Sequence, residues 1–205
     1  MNILSIETST DWCGVALTTD GKCINKIQER IPRGHSENLP IYYKEIIKKS
    51  KTLIKTIDAI SVSIGPGSFT GLRIGLGFAK GLAFAKSLPI IPVPTLEIIS
   101  NSYKNNYLKY RVYLFSHSDI VYHQKFTDGF AEASPEASKW DLIKHYDTGI
   151  HYGCDKLLKG KKYSSNYPLV EVGGLLAYNN FDDWIINEPY DLVPNYISPF
   201  ELGSK

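Results

Sequence analysis

Residues able to do chemistry gather at two places in the first half of the chain. The first is Glu7-Thr8-Ser9-Thr10, a carboxylate followed by three hydroxyls. Between two strands, such a segment can present hydroxyls and amides to a phosphate, with Glu7 as a base or metal ligand; it also describes an ordinary polar turn. No second acidic residue is spaced to share a metal with Glu7. The second place is Gly65-Pro66-Gly67-Ser68-Phe69-Thr70-Gly71. Ile60, Val62 and Ile64 alternate before it and a helical pattern follows, so the glycines mark a strand-to-helix junction. A helix N-terminus there offers N–H groups and partial positive charge to phosphate, to carboxylate or to a partner's acceptors. The loop lacks the Gly-Lys-Ser/Thr ending that lets a P-loop reach the outer phosphates.

Elsewhere the catalytic equipment is thin. His35, His117, His123, His145 and His151 form no HxxxH or HExxH pair, and Ser68 sits in no GxSxG elbow. Cys13, Cys23 and Cys154 have neither CxxC nor Cys/His metal spacing, so a disulfide framework and a zinc site are not expected. A reducing cytoplasm is the expected setting. Met1 to Ile6 lacks the basic and long apolar regions of a secretory signal and reads as a strand.

The elements that must position these residues follow from periodicity. Strands are expected over 3–6, 12–18 and 23–30, the last two joined by Asp20-Gly21, whose positive φ angles suit a hairpin turn. A helix is expected over 36–50, capped by Ser36, with Leu39, Tyr42, Tyr43, Ile46 and Ile47 on one face. A strand over 58–64, a helix over 70–85, a strand over 88–94 and a helix over 96–102 complete a β-β-β-α-β-α-β-α order. That order predicts an α/β fold with a mixed sheet and helices on both faces.

At 100° per residue, the 70–85 helix carries Gly71, Gly75, Ala79 and Ala83 on one flank and Gly77, Gly81 and Ala85 on another, with Ile74, Phe78 and Leu82 between. Each interior glycine costs roughly 0.5–1 kcal/mol relative to alanine. Close backbone approach on both flanks compensates, one neighbour being the chain's own sheet and the other a second chain or a further part of one large domain.

A domain boundary is expected within 101–106. Beyond it, a hairpin is expected over 111–115 and 120–126, helices over 138–146 and 174–178, and a strand over 192–197. Tyr103, Tyr107, Tyr110 and Tyr113 interleave with Lys104, Lys109 and Arg111, which suits either a single-stranded RNA platform or entry into an edge strand. With 205 residues, 43% hydrophobic and 21% charged, the chain is long enough for a substantial core. A net charge of +2 gives no general polyanion affinity. Arg73, Lys80 and Lys86 interrupt any membrane-spanning run.

Three stretches together resemble one family: Ile-Leu-Ser-Ile-Glu-Thr-Ser-Thr-Asp-Trp-Cys-Gly-Val-Ala-Leu from Ile3, His35-Ser36-Glu37-Asn38-Leu39-Pro40, and Gly-Pro-Gly-Ser-Phe-Thr-Gly-Leu-Arg-Ile-Gly from Gly65. They are similar to the tRNA threonylcarbamoyladenosine biosynthesis proteins TsaB, also called YeaZ, over about residues 1–100. The resemblance implies an actin-like ATPase (ribonuclease-H-like) fold of two lobes, residues 1–102 and a smaller, divergent 103–205, each with a mixed sheet flanked by helices.

It also implies a non-catalytic accessory subunit in the cytoplasm. Such a subunit binds the transferase TsaD and, with the ATPase TsaE, supports modification of adenosine 37 in tRNA, which it meets only through the complex. ATP and magnesium then belong to the partner subunits. Pairing with TsaD, or with a second copy in isolation, runs through the helices 36–50 and 70–85. The expected partner-binding residues are Leu39, Tyr42, Tyr43, Ile46, Ser68, Phe69, Thr70, Gly71, Leu72, Gly75, Phe78, Ala79 and Leu82.

Glu7 stands where actin-like ATPases carry a magnesium-organising Asp, which leaves Glu7, Thr8, Ser9 and Thr10 as weak cofactor candidates. In the second half, Phe115 to Tyr122 and Tyr196-Ile197-Ser198 depart from the family pattern. A small-molecule kinase or ATPase of the same superfamily is the alternative reading, and a peptidase, for which no triad or zinc motif is present, stands last.

Overall fold

A computed structural model describes residues 1–50, 56–104 and 107–197. Asn105 and Asn106 of the expected boundary, and Ser198, lie outside the described residues. The chain opens with strands β1 (Asn2–Glu7), β2 (Trp12–Thr19) and β3 (Lys22–Arg30), an antiparallel meander. Asp20 and Gly21 take φ of 46° and 74° at the β2–β3 turn, as the Asp-Gly pair requires. Helix α1 (His35–Lys49) leads to β4 (Ala59–Gly65), helix α2 (Phe69–Lys86), β5 (Ile90–Pro94) and helix α3 (Thr95–Asn101). β4 and β5 join parallel to β1, giving the sheet order β3-β2-β1-β4-β5.

Alternation along the strands separates the two faces. Leu4, Ile6, Val15, Leu17, Ile60 and Val62 point to one side, where Leu39, Tyr42 and Ile46 of α1 and Leu76, Ala79 and Ala83 of α2 complete a core. Ile3, Ala59, Ile91 and Val93 point to the other.

The second sheet is built from β6 (Lys109–His117), β7 (Ile120–Thr127), β8 (Phe130–Ala131), β9 (Glu136–Lys139), β10 (Gly149–Tyr152) and β11 (Ser164–Ser165). Its order is β11-β10-β6-β7-β8, with β9 also pairing β7. β6 and β7 are antiparallel, while β10 lies parallel to both β6 and β11, so this sheet too is mixed. Tyr110 and Tyr113 are 1% and 0% exposed, which removes them from any base-stacking surface.

The end of the chain crosses back. Helix α4 (Val170–Asn179) lies on the first sheet, with Val172, Leu176 and Ala177 packed on the Ile3 side, and short α5 (Phe181–Trp184) follows it there. Residues 170–197 therefore complete the first lobe, whereas a simple division at residue 102 places them in the second.

Two expected elements are replaced. The 138–146 helix gives way to β9 and a 3-10 turn, Trp140–Leu142, because residues 136–139 pair with β7 and the buried Trp140 ends the strand. The 192–197 strand is instead an extended strap in which Asn195 N donates to Ile64 O at 2.7 Å; Pro194 has no N–H with which to continue a ladder. Among the described residues, no helix is long and apolar enough to cross a membrane.

Candidate partner-binding face and interlobe cleft

The glycine loop works by close approach. A Cβ on Gly67 would lie 2.2 Å from the Ser9 carbonyl oxygen, one on Gly71 2.1 Å from the Thr8 carbonyl oxygen, and one on Gly75 2.1 Å from Thr8 Oγ1. The loop and first turns of α2 are thus seated on the turn after β1. Ser68 is the N-cap: its Oγ accepts from Gly71 N at 3.2 Å, and its own N–H donates to Ser9 O at 2.7 Å. The strand-to-helix junction visible in the sequence is therefore a packing device.

That seating hides much of the first chemical candidate. Glu7, Thr8 and Ser9 are at most 1% exposed, and Thr10 is 7% exposed. Glu7 Oε1 accepts from Ser9 N at 2.6 Å and Ser9 Oγ at 2.5 Å, while Oε2 has no partner. Burial drives the Glu7 carboxyl up to about 7, against the hydrogen bonds from Ser9 that favour the anion. A carboxyl held near neutrality and closed off from solvent is poorly suited to organise magnesium. Ser9 and Thr10 border a cleft of about 1730 Å³ between the lobes, but Glu7 and Thr8 do not line it. Among the described residues, no group of three or more His, Cys, Asp or Glu could hold a metal ion.

The partner-binding candidates divide by burial. Leu39, Tyr42, Ile46, Gly71, Leu72, Gly75 and Ala79 face the chain's own core and are not available to a partner in this structure. Tyr42 also donates its hydroxyl to Glu29 at 2.7 Å. Tyr43, Phe69, Phe78 and Leu82 are half-buried, while Ser68 and Thr70 are exposed. Tyr43 meets Phe78 edge-on, with centroids 5.6 Å apart, and this contact closes the α1–α2 groove.

The residues that face outward are others. A Cβ on Gly77 or Gly81 would meet nothing within 4 Å, Ile74 is half-buried beside them, and Phe84 is 74% exposed. The helical wheel sets Gly77, Gly81 and Ala85 on a separate flank, and burial shows that this flank is the open one.

With this geometry in place, known proteins give the context. Residues 27–111 match the family model described as TsaD, tRNA N6-adenosine threonylcarbamoyltransferase. The chain is 45% identical over 96 residues, 47% of its length and 41% of the relative's, to the tRNA threonylcarbamoyladenosine biosynthesis protein TsaB of Escherichia coli (strain K12). It is 35% identical over 127 residues to TsaB of Buchnera aphidicola subsp. Acyrthosiphon pisum, covering 61% of this chain and 57% of that one. Over about half of its length, then, the chain is similar to TsaB proteins.

Among solved structures it superimposes on YeaZ from Pseudomonas aeruginosa with a TM-score of 0.82 at 24% identity, covering 95% of this chain and 99% of that one. That likeness establishes the two-lobe α/β fold over nearly the whole length. The sequence relation is narrower, because the chain spans about half the length of the curated TsaB relatives it matches.

Proposed function

We propose that the chain is an accessory, non-catalytic subunit in tRNA threonylcarbamoyladenosine biosynthesis that binds a TsaD-like transferase through the exposed side of α1 and α2. The observation that carries this reading is the bare Gly77–Gly81 flank of α2. Glycines in an exposed helix interior destabilise it by roughly 0.5–1 kcal/mol each unless something packs against them. Among the described residues, nothing lies within 4 Å of a Cβ placed at either glycine. Another protein's helix laid against that flank gains the close contact the missing side chains permit, and half-buried Ile74, Phe78 and Leu82 supply apolar area beside it.

In this proposal a TsaE-like ATPase joins the complex, ATP and magnesium belong to the partners, tRNA is met through the complex, and the setting is cytoplasmic. A second copy can occupy the same face when the transferase is absent. Buried Glu7, with its raised pKa, supports the absence of independent ATP hydrolysis.

Reconstitution tests the whole reading. The purified chain is added to a TsaD-type transferase, TsaE-type ATPase, an activated threonylcarbamoyl donor and tRNA. Transfer to adenosine 37 is expected to depend on the chain, which alone turns over neither ATP nor the donor. Full transfer without it, or ATP turnover by the isolated chain, contradicts the reading.

A further inference from the structure

Helix α2 carries Arg73, Lys80 and Lys86 and no acidic residue. At 100° per residue, Arg73, Gly77, Lys80 and Phe84 fall within about 60° of one another, so two cations border the bare glycine flank on one side. Ile74, Phe78 and Leu82 border it on the other. The strap over residues 189–197 holds both cations in place. Arg73 Nε donates to the Tyr196 hydroxyl at 2.9 Å, and its guanidinium lies 3.7 Å from the centre of the Phe69 ring. Lys80 Nζ donates to the Tyr190 carbonyl oxygen at 2.7 Å. The strap is itself anchored, by the bond from Asn195 N to Ile64 O and by Leu192 against the core that α2 shares with the first sheet.

All of these partners are neutral. Among the described residues, the ion pairs include neither Arg73 nor Lys80, and no described residue accepts from the two terminal nitrogens of Arg73. Two cations ordered before anything docks therefore stand about 10 Å apart along the helix axis, with Gly77 between them. Such ordering reduces the side-chain entropy lost when a partner arrives.

On the footing that a TsaD-type transferase docks on this face, we infer that Arg73 and Lys80 set its register by pairing with two carboxylates two turns apart on the docking helix. Seven residues span the same distance on both helices, and the close approach that Gly77 and Gly81 allow brings the partner's side chains within reach of both cations. The apolar border of Ile74, Phe78 and Leu82 suits a protein helix, whereas a nucleic-acid strand laid there would face apolar side chains along one edge.

Calorimetric titration with the purified transferase at about 50 mM and about 500 mM salt reads the pairing. The unsubstituted chain is expected to bind more tightly at the lower salt. Arg73→Glu with Lys80→Glu is expected to weaken binding by about tenfold or more at low salt and to remove the advantage of low salt. Arg73→Lys with Lys80→Arg, which disturbs the same strap contacts but keeps both charges, should retain that advantage. If the double Glu variant does not fold, Lys80→Glu alone decides. Gly77→Trp, titrated in parallel, separates the pairing from the assignment of the face. Binding lost in Gly77→Trp but undiminished in the folded Glu variants overturns the pairing and leaves the face in place; undiminished binding by Gly77→Trp overturns both. Binding of tRNA by the chain alone that the Glu substitutions abolish, with the transferase bound as before, assigns the cations to phosphate and also overturns the inference.

Discussion

Replacing glycines along α2 with alanine tests whether the helix is seated as described, because identical substitutions should have opposite signs on its two flanks. At Gly75 the new methyl would lie 2.1 Å from Thr8 Oγ1, where ordinary contact begins at 3.4 Å. Thr8 is 0% exposed, so its side chain or the helix must move by more than an ångström. Overpacking of this kind costs roughly 1–3 kcal/mol, and alanine returns roughly 0.5–1 kcal/mol of helix propensity. A net destabilisation of about 1 kcal/mol is expected.

At Gly71 the obstacle is the Thr8 carbonyl oxygen, a backbone atom with no rotamer to escape into, and the loss should be larger. At Gly77 nothing lies within 4 Å, so the propensity gain is undiluted and the chain should be stabilised by roughly 0.5–1 kcal/mol. Urea denaturation followed by circular dichroism ranks the variants, with Tm moving by about 2–4 °C per kcal/mol in a chain this long. Gly75→Ala as stable as Gly77→Ala, or a stabilised Gly71→Ala, refutes the seating of α2 on Thr8.

Further outcomes follow from single groups. Glu7 is raised from 4.5 to about 7 in the folded chain; the native state therefore binds the extra proton, and its stability falls as pH rises from about 4.5 to 7. Glu7→Gln should remove that slope and stabilise the chain at pH 8, by at most about 3 kcal/mol; a slope unchanged in chemical denaturation across this range contradicts it. His123 runs the other way, since burial and then the neighbouring Arg111 hold it down to about 4. Its contribution is complete above 6.5 and is lost as pH falls toward 4, so His123→Gln should flatten the acid limb of the stability profile in the same titration. Tyr42→Phe removes the 2.7 Å bond to Glu29 and should cost about 1 kcal/mol in urea denaturation.

Where structure is set locally, the sequence announced it. Alternation in residues 3–6 and 12–18, the Asp20-Gly21 turn, and the small-residue flanks of α2 all correspond to what forms. What depends on distant neighbours did not show. Helix α4 returns to the first sheet because Gly174 lets the backbone approach Thr18 and Ser5: a Cβ there would sit 2.4 Å from Thr18 Oγ1 and 2.5 Å from Ser5 Oγ. No periodicity in residues 170–179 encodes those partners. Trp140 and Ile143 have helical spacing, yet pairing of residues 136–139 with β7 overrode it.

The candidate face shows the same division. The resemblance places Leu39, Tyr42 and Ile46 on the partner-binding helices, while their apolar spacing marks a buried stripe without saying what buries it. Their own sheet does. Gly77 and Gly81, which that expectation omits, stand on a flank that nothing among the described residues fills.

Placing a bulky side chain on that open flank tests the central claim most directly. Gly77→Trp has room in the isolated chain, so its melting temperature should stay within a few degrees of the unsubstituted protein's. Its capture of the purified TsaD-type transferase from the same organism, measured by size-exclusion chromatography with light scattering, should fall at least tenfold. A folded Gly77→Trp chain that captures the transferase as well as the unsubstituted protein does would contradict the assignment of this face.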